Sequence, residues 1–235
     1  MKKLIIAFLS SIFFFAVPIF AKPRSVTETS PVAILSITGN KSVPWLEGNS
    51  PSAYEGALTG KINEKMNRLS PERETAVSRL DYAYDSFVAA FGKKEGASII
   101  EKELVASSDA YKKCLEGTPK YLSVRAGATG LKKLSDMSKK NARGVLNEIG
   151  AKSAFFMDFE FWKVRKNSKV LSALVILKVR VVNDEGKEIV SKRYSVESSS
   201  GIPISGKSYN TDGLLALLNF TIDEAIDKFI SDSFE

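Results

Sequence analysis

The sequence predicts an α/β fold with some α+β character, in which four or five helices pack on a single mixed sheet that ends in an antiparallel meander. Strand-like and helical segments alternate up to about residue 150, three strand-like runs then follow one another, and the chain ends in an amphipathic helix. We expect residues 31–235 to form one α/β domain, because no linker rich in Gly, Ser or Pro divides them.

The first elements of this domain are a strand and two helices. Val32–Ile37 is a short β-branched run, which is typical of a buried strand. Apolar residues at helical spacing predict helices over residues 52–68 and 71–91. The second helix has the clearer boundaries, with Ser70 as its N-cap and Gly92 beyond its end.

The next segments alternate in the same way. We predict a strand over residues 97–101, a helix over 107–116 and a helix over 131–149 that Gly150 ends, whereas residues 120–130 give no clear pattern. The helix at 107–116 carries the only cysteine of the chain, so no intramolecular disulfide can form. Helical spacing places Cys114 beside Tyr111 and Leu115 on an apolar stripe, and we expect it to be buried and inert.

The pattern changes after residue 150. Three strand-like runs, 153–165, 170–183 and 187–197, are separated by short polar turns and predict an antiparallel meander. A final helix is predicted from near Asp212 to about Ser231, with one apolar side. We expect that side to pack on the sheet. The alternative, binding to a membrane surface, is disfavoured because the polar side of the helix is acidic.

The N-terminus has the pattern of an export signal. Lys2 and Lys3 precede an apolar run from Leu4 to Ala21, and the chain then becomes polar. We predict a signal peptide over residues 1–21, cleaved after Ala21, and a flexible segment over 22–30. The alternative is an uncleaved inner-membrane anchor, since the run approaches the length of a spanning helix. Either outcome places the folded part in a bacterial periplasm or outside the cell.

The formal net charge of +7 describes a mildly basic chain. For an exported protein this favours anionic lipid headgroups or wall polymer as partners over nucleic acid. The alternative is a solvated surface without a single basic patch.

The candidate site residues lie on the first strand of the meander. Alternation places Asp158, Glu160 and Trp162 on one face of that strand, opposite its apolar side chains. Two neighbouring carboxylates can act as an acid/base pair or contribute to a metal site. The alternative is that Lys178 and Arg180 on the next strand form cross-strand ion pairs with them. The same Trp162, together with Trp45 in a polar loop, is a candidate for partner contact.

A phosphate-binding pattern, G-x-x-x-x-G-K-[ST], occurs at Gly201–Ser208. That pattern requires a helix to begin at the Lys-Ser pair, but Tyr209–Gly213 intervenes before the predicted final helix. We therefore expect no nucleotide there. The chain also contains no histidine, which excludes Ser-His and Cys-His catalysis and histidine metal sites. No cofactor, metal site or catalytic residue is predicted.

Four short segments carry a resemblance to known proteins: Pro31–Ile37, Gly150–Phe156, Val179–Glu188 and Leu218–Ile230. Together they resemble the periplasmic α/β domain shared by the curli-secretion lipoprotein, the penicillin-binding-protein activator LpoB and the N-terminal domain of TolB. The resemblance implies a non-enzymatic envelope domain that contacts proteins or cell wall. It carries over no functional residue, and no cysteine follows the apolar run to accept a lipid.

Two hypotheses of different class follow. The first is an exported, non-enzymatic module that binds or scaffolds envelope proteins or peptidoglycan. The second is a histidine-free hydrolase that acts on wall or glycan through Asp158 and Glu160, which requires both carboxylates to line a concave site. A weaker alternative is a peripheral lipid-binding protein.

Overall fold

A computed structural model describes residues 23–46, 71–134, 137–205 and 208–235. The signal peptide predicted over residues 1–21 and the helix predicted over 52–68 lie outside the described residues. Within them, helices pack on a curled mixed sheet of eight strands, which confirms the predicted α/β class. The strands are β1 (Val32–Asn40), β2 (Trp45–Leu46), β3 (Arg125–Gly127), β4 (Ser153–Asn167), β5 (Val170–Asn183), β6 (Glu188–Glu197), β7 (Ile202–Ser205) and β8 (Ser208–Tyr209). The helices are α1 (Val26–Thr29), α2 (Ala76–Phe91), α3 (Lys102–Ser107), α4 (Asp109–Lys112), α5 (Pro119–Val124), α6 (Lys139–Ile149) and α7 (Thr211–Ser233), with a 3-10 turn at Pro71–Arg73.

The sheet is built around β1, β4 and β5. β4 runs parallel to β1 and antiparallel to β5, while β3 pairs antiparallel with the end of β1. β6 pairs antiparallel with the later part of β5, and β7 pairs with its beginning. The antiparallel meander predicted from the sequence is therefore confirmed. β1 is buried along nearly its whole length, because it lies inside the sheet with both of its faces covered.

One side of the sheet is sealed by α2 and α7. A cluster of aromatic rings fills this layer, with centroids of neighbouring rings 5.1–6.5 Å apart. The cluster consists of Phe87 and Phe91 from α2, Phe155 from β4, Phe229 from α7, and Phe234. All five rings are almost fully buried, so this layer provides a large part of the hydrophobic core.

The helix predicted over residues 71–91 begins later than expected. Pro71–Arg73 forms a 3-10 turn, and α2 starts at Ala76. Glu72 is turned inward, where its carboxylate pairs with Lys163 and its carbonyl accepts a hydrogen bond from Arg79. These long-range contacts hold the turn away from the helix axis, which local capping signals do not reveal. Gly92 follows the helix end as predicted.

Two predictions between residues 97 and 116 are wrong in detail. The strand predicted at 97–101 is reduced to an isolated bridge between Ile99 and Val32, because α3 begins immediately afterwards. The helix predicted at 107–116 is reduced to α4, which Ser108 caps by accepting a hydrogen bond from the Tyr111 amide. Cys114 is buried as predicted, but Leu115 is 87% exposed because α4 ends before reaching it.

The helix predicted over residues 131–149 is likewise shorter. α6 begins after Ser138, which caps it, and ends at Gly150 in the left-handed conformation expected of that residue. The preceding segment is held by β1 instead, because the Leu134 amide donates to the Ser36 hydroxyl. Its apolar side chains are buried without forming a helix.

The segment before β1, for which the sequence suggests a flexible extension, packs against the C-terminus. The Arg24 amide donates to the Ser233 carbonyl, and the Glu235 amide donates back to Arg24. Val26 in α1 is buried. The start of the described chain is thereby joined to the end of α7.

Candidate functional site

The two faces of β4 differ sharply in chemistry. Phe155, Met157, Phe159 and Phe161 point into the helical layer and are almost fully buried. Asp158, Glu160 and Trp162 alternate with them on the opposite face and are partly accessible. We call this opposite side of the sheet the groove face.

A concave site of about 440 Å³ lies on the groove face. The strand registers place Thr38, Asp158, Lys178 and Arg193 in one row that crosses β1, β4, β5 and β6. A second row beside it contains Phe156, Arg180 and Ser191. Tyr121 and Leu134 form the wall. The floor of the groove is thus formed by four strands, with cationic groups concentrated on β5 and β6.

Asp158 is fixed at the bottom of the groove. Its carboxylate accepts a hydrogen bond from the Thr38 hydroxyl at 2.8 Å and pairs with the Arg125 guanidinium at 2.9 Å. The Tyr121 hydroxyl donates in turn to Thr38 at 3.0 Å. Burial raises the pKa of Asp158 above its ordinary value, and Arg125 and Thr38 only partly oppose that shift.

The ion pairs on the groove face differ in part from the sequence expectation. Glu160 pairs with Lys178 across β4 and β5, as proposed. Asp158 also stands opposite Lys178 in the register, but its ion pair is formed with Arg125 from β3. Residues 120–130 gave no clear pattern in the sequence, so the alternation of β4 alone could not identify Arg125.

Arg180 and Arg193 also place guanidinium groups on the groove face. The Arg180 guanidinium lies over the Phe156 ring, 4.7 Å from its centroid, which fixes its orientation. Arg193 is exposed, and it forms no hydrogen bond or ion pair with any described residue. Arg193 therefore places an exposed cation on β6, beside the Asp158–Arg125 and Glu160–Lys178 pairs.

The two tryptophans proposed for partner contact lie on opposite sides of the sheet. Trp162 shares the groove face with Asp158 and is partly buried. Trp45 pairs with Lys163 in β4 on the other side, and its ring lies edge-on to Tyr209 at 6.0 Å. The sheet therefore does not bring the two rings together.

Trp45 belongs to a buried polar cluster that the sequence did not reveal. Lys163 pairs with Glu72 at 2.8 Å, and the Tyr209 hydroxyl contacts both groups. Burial lowers the pKa of Lys163, which Glu72 opposes, and burial together with Glu72 raises the pKa of Tyr209. The side chains of Lys163 and Glu72 are both buried from solvent. The cluster therefore has a structural role, which is to join β4, β8 and the Pro71–Arg73 turn.

The segment that matches the phosphate-binding pattern forms strands. Ile204 and Ser205 in β7 pair antiparallel with Tyr209 and Ser208 in β8, and α7 begins only at Thr211. The described part of the motif therefore has hairpin geometry, and Ser208 does not start a helix as the pattern requires.

The fold and groove together define an α/β protein whose sheet is covered by α2 and α7 on one face and carries a charged groove on the other. None of the helices described is long and apolar enough to cross a membrane. The sequence matches no protein-family model and no curated protein.

Comparison with solved structures gives matches to bacterial proteins at low identity. The LpoB C-terminal domain from Salmonella enterica is 10% identical with a TM-score of 0.29, over 70% of this chain and 80% of that domain. A hypothetical protein from Chlamydia trachomatis is 9% identical with a TM-score of 0.38, over 85% and 92% of the two chains. A lipoprotein from Neisseria meningitidis is 14% identical with a TM-score of 0.32, over 86% and 99%. The LpoB resemblance expected from the sequence thus recurs among solved structures.

Proposed function

We propose that this protein is an exported, non-enzymatic binding module of the bacterial cell envelope, which engages an envelope protein or peptidoglycan through its groove face. The groove itself carries this proposal. It is a concave surface whose polar groups are held in place by ion pairs and a cation–π contact, as in a preformed binding site. The charged start and apolar run at residues 2–21 support export.

The charge of the groove favours an anionic partner group. Lys178, Arg180 and Arg193 line it together with one carboxylate, that of Asp158. Because Asp158 is already paired with Arg125, a carboxylate or phosphate on the partner can approach the exposed Arg193 guanidinium without repulsion from an unpaired Asp158. Guanidinium groups are suited to this role, since they bind planar anions with two parallel hydrogen bonds.

The hydrolase hypothesis has less support from the same geometry. It requires Asp158 and Glu160 together in the concave site, and of the two only Asp158 lines it. Glu160 is engaged by Lys178 beside the groove. No observation among the described residues favours a catalytic role for this pair over a structural one.

Site-specific photo-crosslinking in intact cells tests the proposal. A benzophenone side chain in place of Ser191 lies in the groove, whereas one in place of Lys228 lies on an exposed position of α7. We expect a discrete adduct with an envelope protein or peptidoglycan from position 191 and none from position 228. The adduct should diminish when Arg180 and Arg193 are both replaced by Gln. Equal labelling from both positions, or an adduct insensitive to the double replacement, would contradict the proposal.

A further inference from the structure

The strand β6 forms an edge of the sheet that no described strand covers. Its ten residues, Glu188–Glu197, pair on one side with β5. On its groove face every alternate residue from Ser191 to Glu197 is exposed. At one end of the edge a backbone acceptor is already occupied, because the Arg24 side chain donates to the Ile189 carbonyl at 3.1 Å. A long uncovered edge is a template for an additional strand.

The charge pattern of β6 disfavours a second copy of the chain as that strand. In the antiparallel register that pairs the full length of two β6 strands, Lys192 faces Arg193 and Glu188 faces Glu197. Each of these pairs brings like charges opposite one another, which destabilises strand pairing. A strand with acidic residues at its centre would instead place opposite charges beside the basic centre of β6.

The position of Arg193 specifies where that acidic residue lies. Arg193 ends the row that runs from Thr38 through Asp158 and Lys178 across the groove floor. A further strand would extend this row by one position, directly beside the Arg193 guanidinium. Lys192 points to the other side of the sheet, where its ammonium group donates to the Asp232 carbonyl at the end of α7. Arg193 is therefore an exposed basic group on the groove face, at the edge that β6 forms.

We propose that the groove accepts an extended acidic segment of a partner protein, which adds to β6 as a further strand and places a carboxylate against Arg193. This inference rests on the proposed binding function and assigns it a mode and a ligand chemistry. Backbone hydrogen bonds along β6 supply affinity, and Arg193 selects an acidic side chain. The groove beside β6 accommodates the side chains of the added strand that point toward Arg180 and Ser191.

Fluorescence anisotropy with synthetic peptides tests the proposal on the purified protein. The probe is a labelled ten-residue peptide that alternates Val and Thr, with two Glu residues at its centre. A second peptide has the same sequence with alternate amides N-methylated, so that charge is kept and strand pairing is blocked. We expect the first peptide to bind and the second to bind at least about tenfold more weakly, because several backbone hydrogen bonds are lost.

Protein variants separate charge recognition from folding defects. Arg193→Gln should weaken binding of the acidic peptide about fivefold, the effect expected for one partly exposed charge-assisted contact. Lys228→Gln removes an exposed cation from α7 and should leave binding unchanged. Circular dichroism of both variants should match that of the unmodified protein, since neither side chain is buried.

Three results would overturn strand addition. Equal binding of the N-methylated peptide would indicate charge attraction alone, and no binding of either peptide would remove the edge as a site. Concentration-dependent dimerisation that the acidic peptide competes away would identify a second copy as the occupant. If peptides fail while the crosslink from position 191 persists, the groove binds a partner without strand addition and the proposed function stands.

Discussion

Replacing Lys163 by Met should destabilise the fold strongly, because it leaves a buried carboxylate without its cation. The Lys163 and Glu72 side chains are only 6% and 2% exposed, and their charged atoms are 2.8 Å apart. Removing one partner of a buried pair typically costs about 3–5 kcal/mol. For a domain of this size that loss corresponds to a fall in Tm of roughly 10 °C.

The matched control is Lys178→Met, which breaks the Lys178–Glu160 pair on the groove face. That ammonium group is 45% exposed, so its loss should cost at most about 1 kcal/mol. Urea unfolding at pH 7 measures both variants. A double variant, Glu72→Met with Lys163→Met, should recover most of the stability, since apolar groups of similar volume replace buried pairs at little cost. Equal losses for the two single variants, or a double variant worse than Lys163→Met, would refute the assignment of a buried ion pair.

Three further predictions concern stability. The Tyr82 hydroxyl donates to Asp223 at 2.6 Å, and this hydrogen bond together with burial raises the pKa of Tyr82 to about 12. Because the unfolded chain releases the Tyr82 proton at lower pH than the folded protein does, the free energy of unfolding should fall between about pH 10 and pH 12. Tyr82→Phe should make that fall shallower in urea unfolding at pH 8 and pH 11. Gly150→Ala should cost about 1 kcal/mol in the same assay, because φ is 71° and no atom crowds the added methyl group. Phe155→Ala should lower the free energy of unfolding by about 3–5 kcal/mol, whereas Phe220→Ala, at a half-exposed position, should change it by less than about 0.5 kcal/mol.

The features that could be predicted from the sequence are those set by local pattern. The period-two alternation from Phe155 to Phe161 identified β4 and its two faces, because one face is buried and the other is not. Gly150 identified the end of α6, because a left-handed residue is needed there. The Lys178–Glu160 pair also followed from alternation, since the two strands are joined by a short turn.

The features that could not be predicted depend on residues far apart in the chain. The start of α2 is shifted by the Glu72–Lys163 pair, whose members are separated by 91 positions. The partner of Asp158 comes from β3, a strand of three residues that is too short to produce a pattern. The importance of Arg193 depends on which strand forms the edge of the sheet. That is a property of topology, and the local sequence of β6 does not reveal it.

The groove differs from an ordinary solvated sheet face in how its charges are held. Arg125 is fixed by Asp158, Lys178 by Glu160, and Arg180 by the ring of Phe156. Cations that are already ordered lose little conformational entropy when an anion binds, so their contribution to affinity is larger than that of mobile surface lysines. Arg193 is the exposed exception, and a partner must order it on binding. Replacing Arg193 should therefore weaken the complex only moderately, whereas disrupting the fixed cations should change which anions the groove accepts.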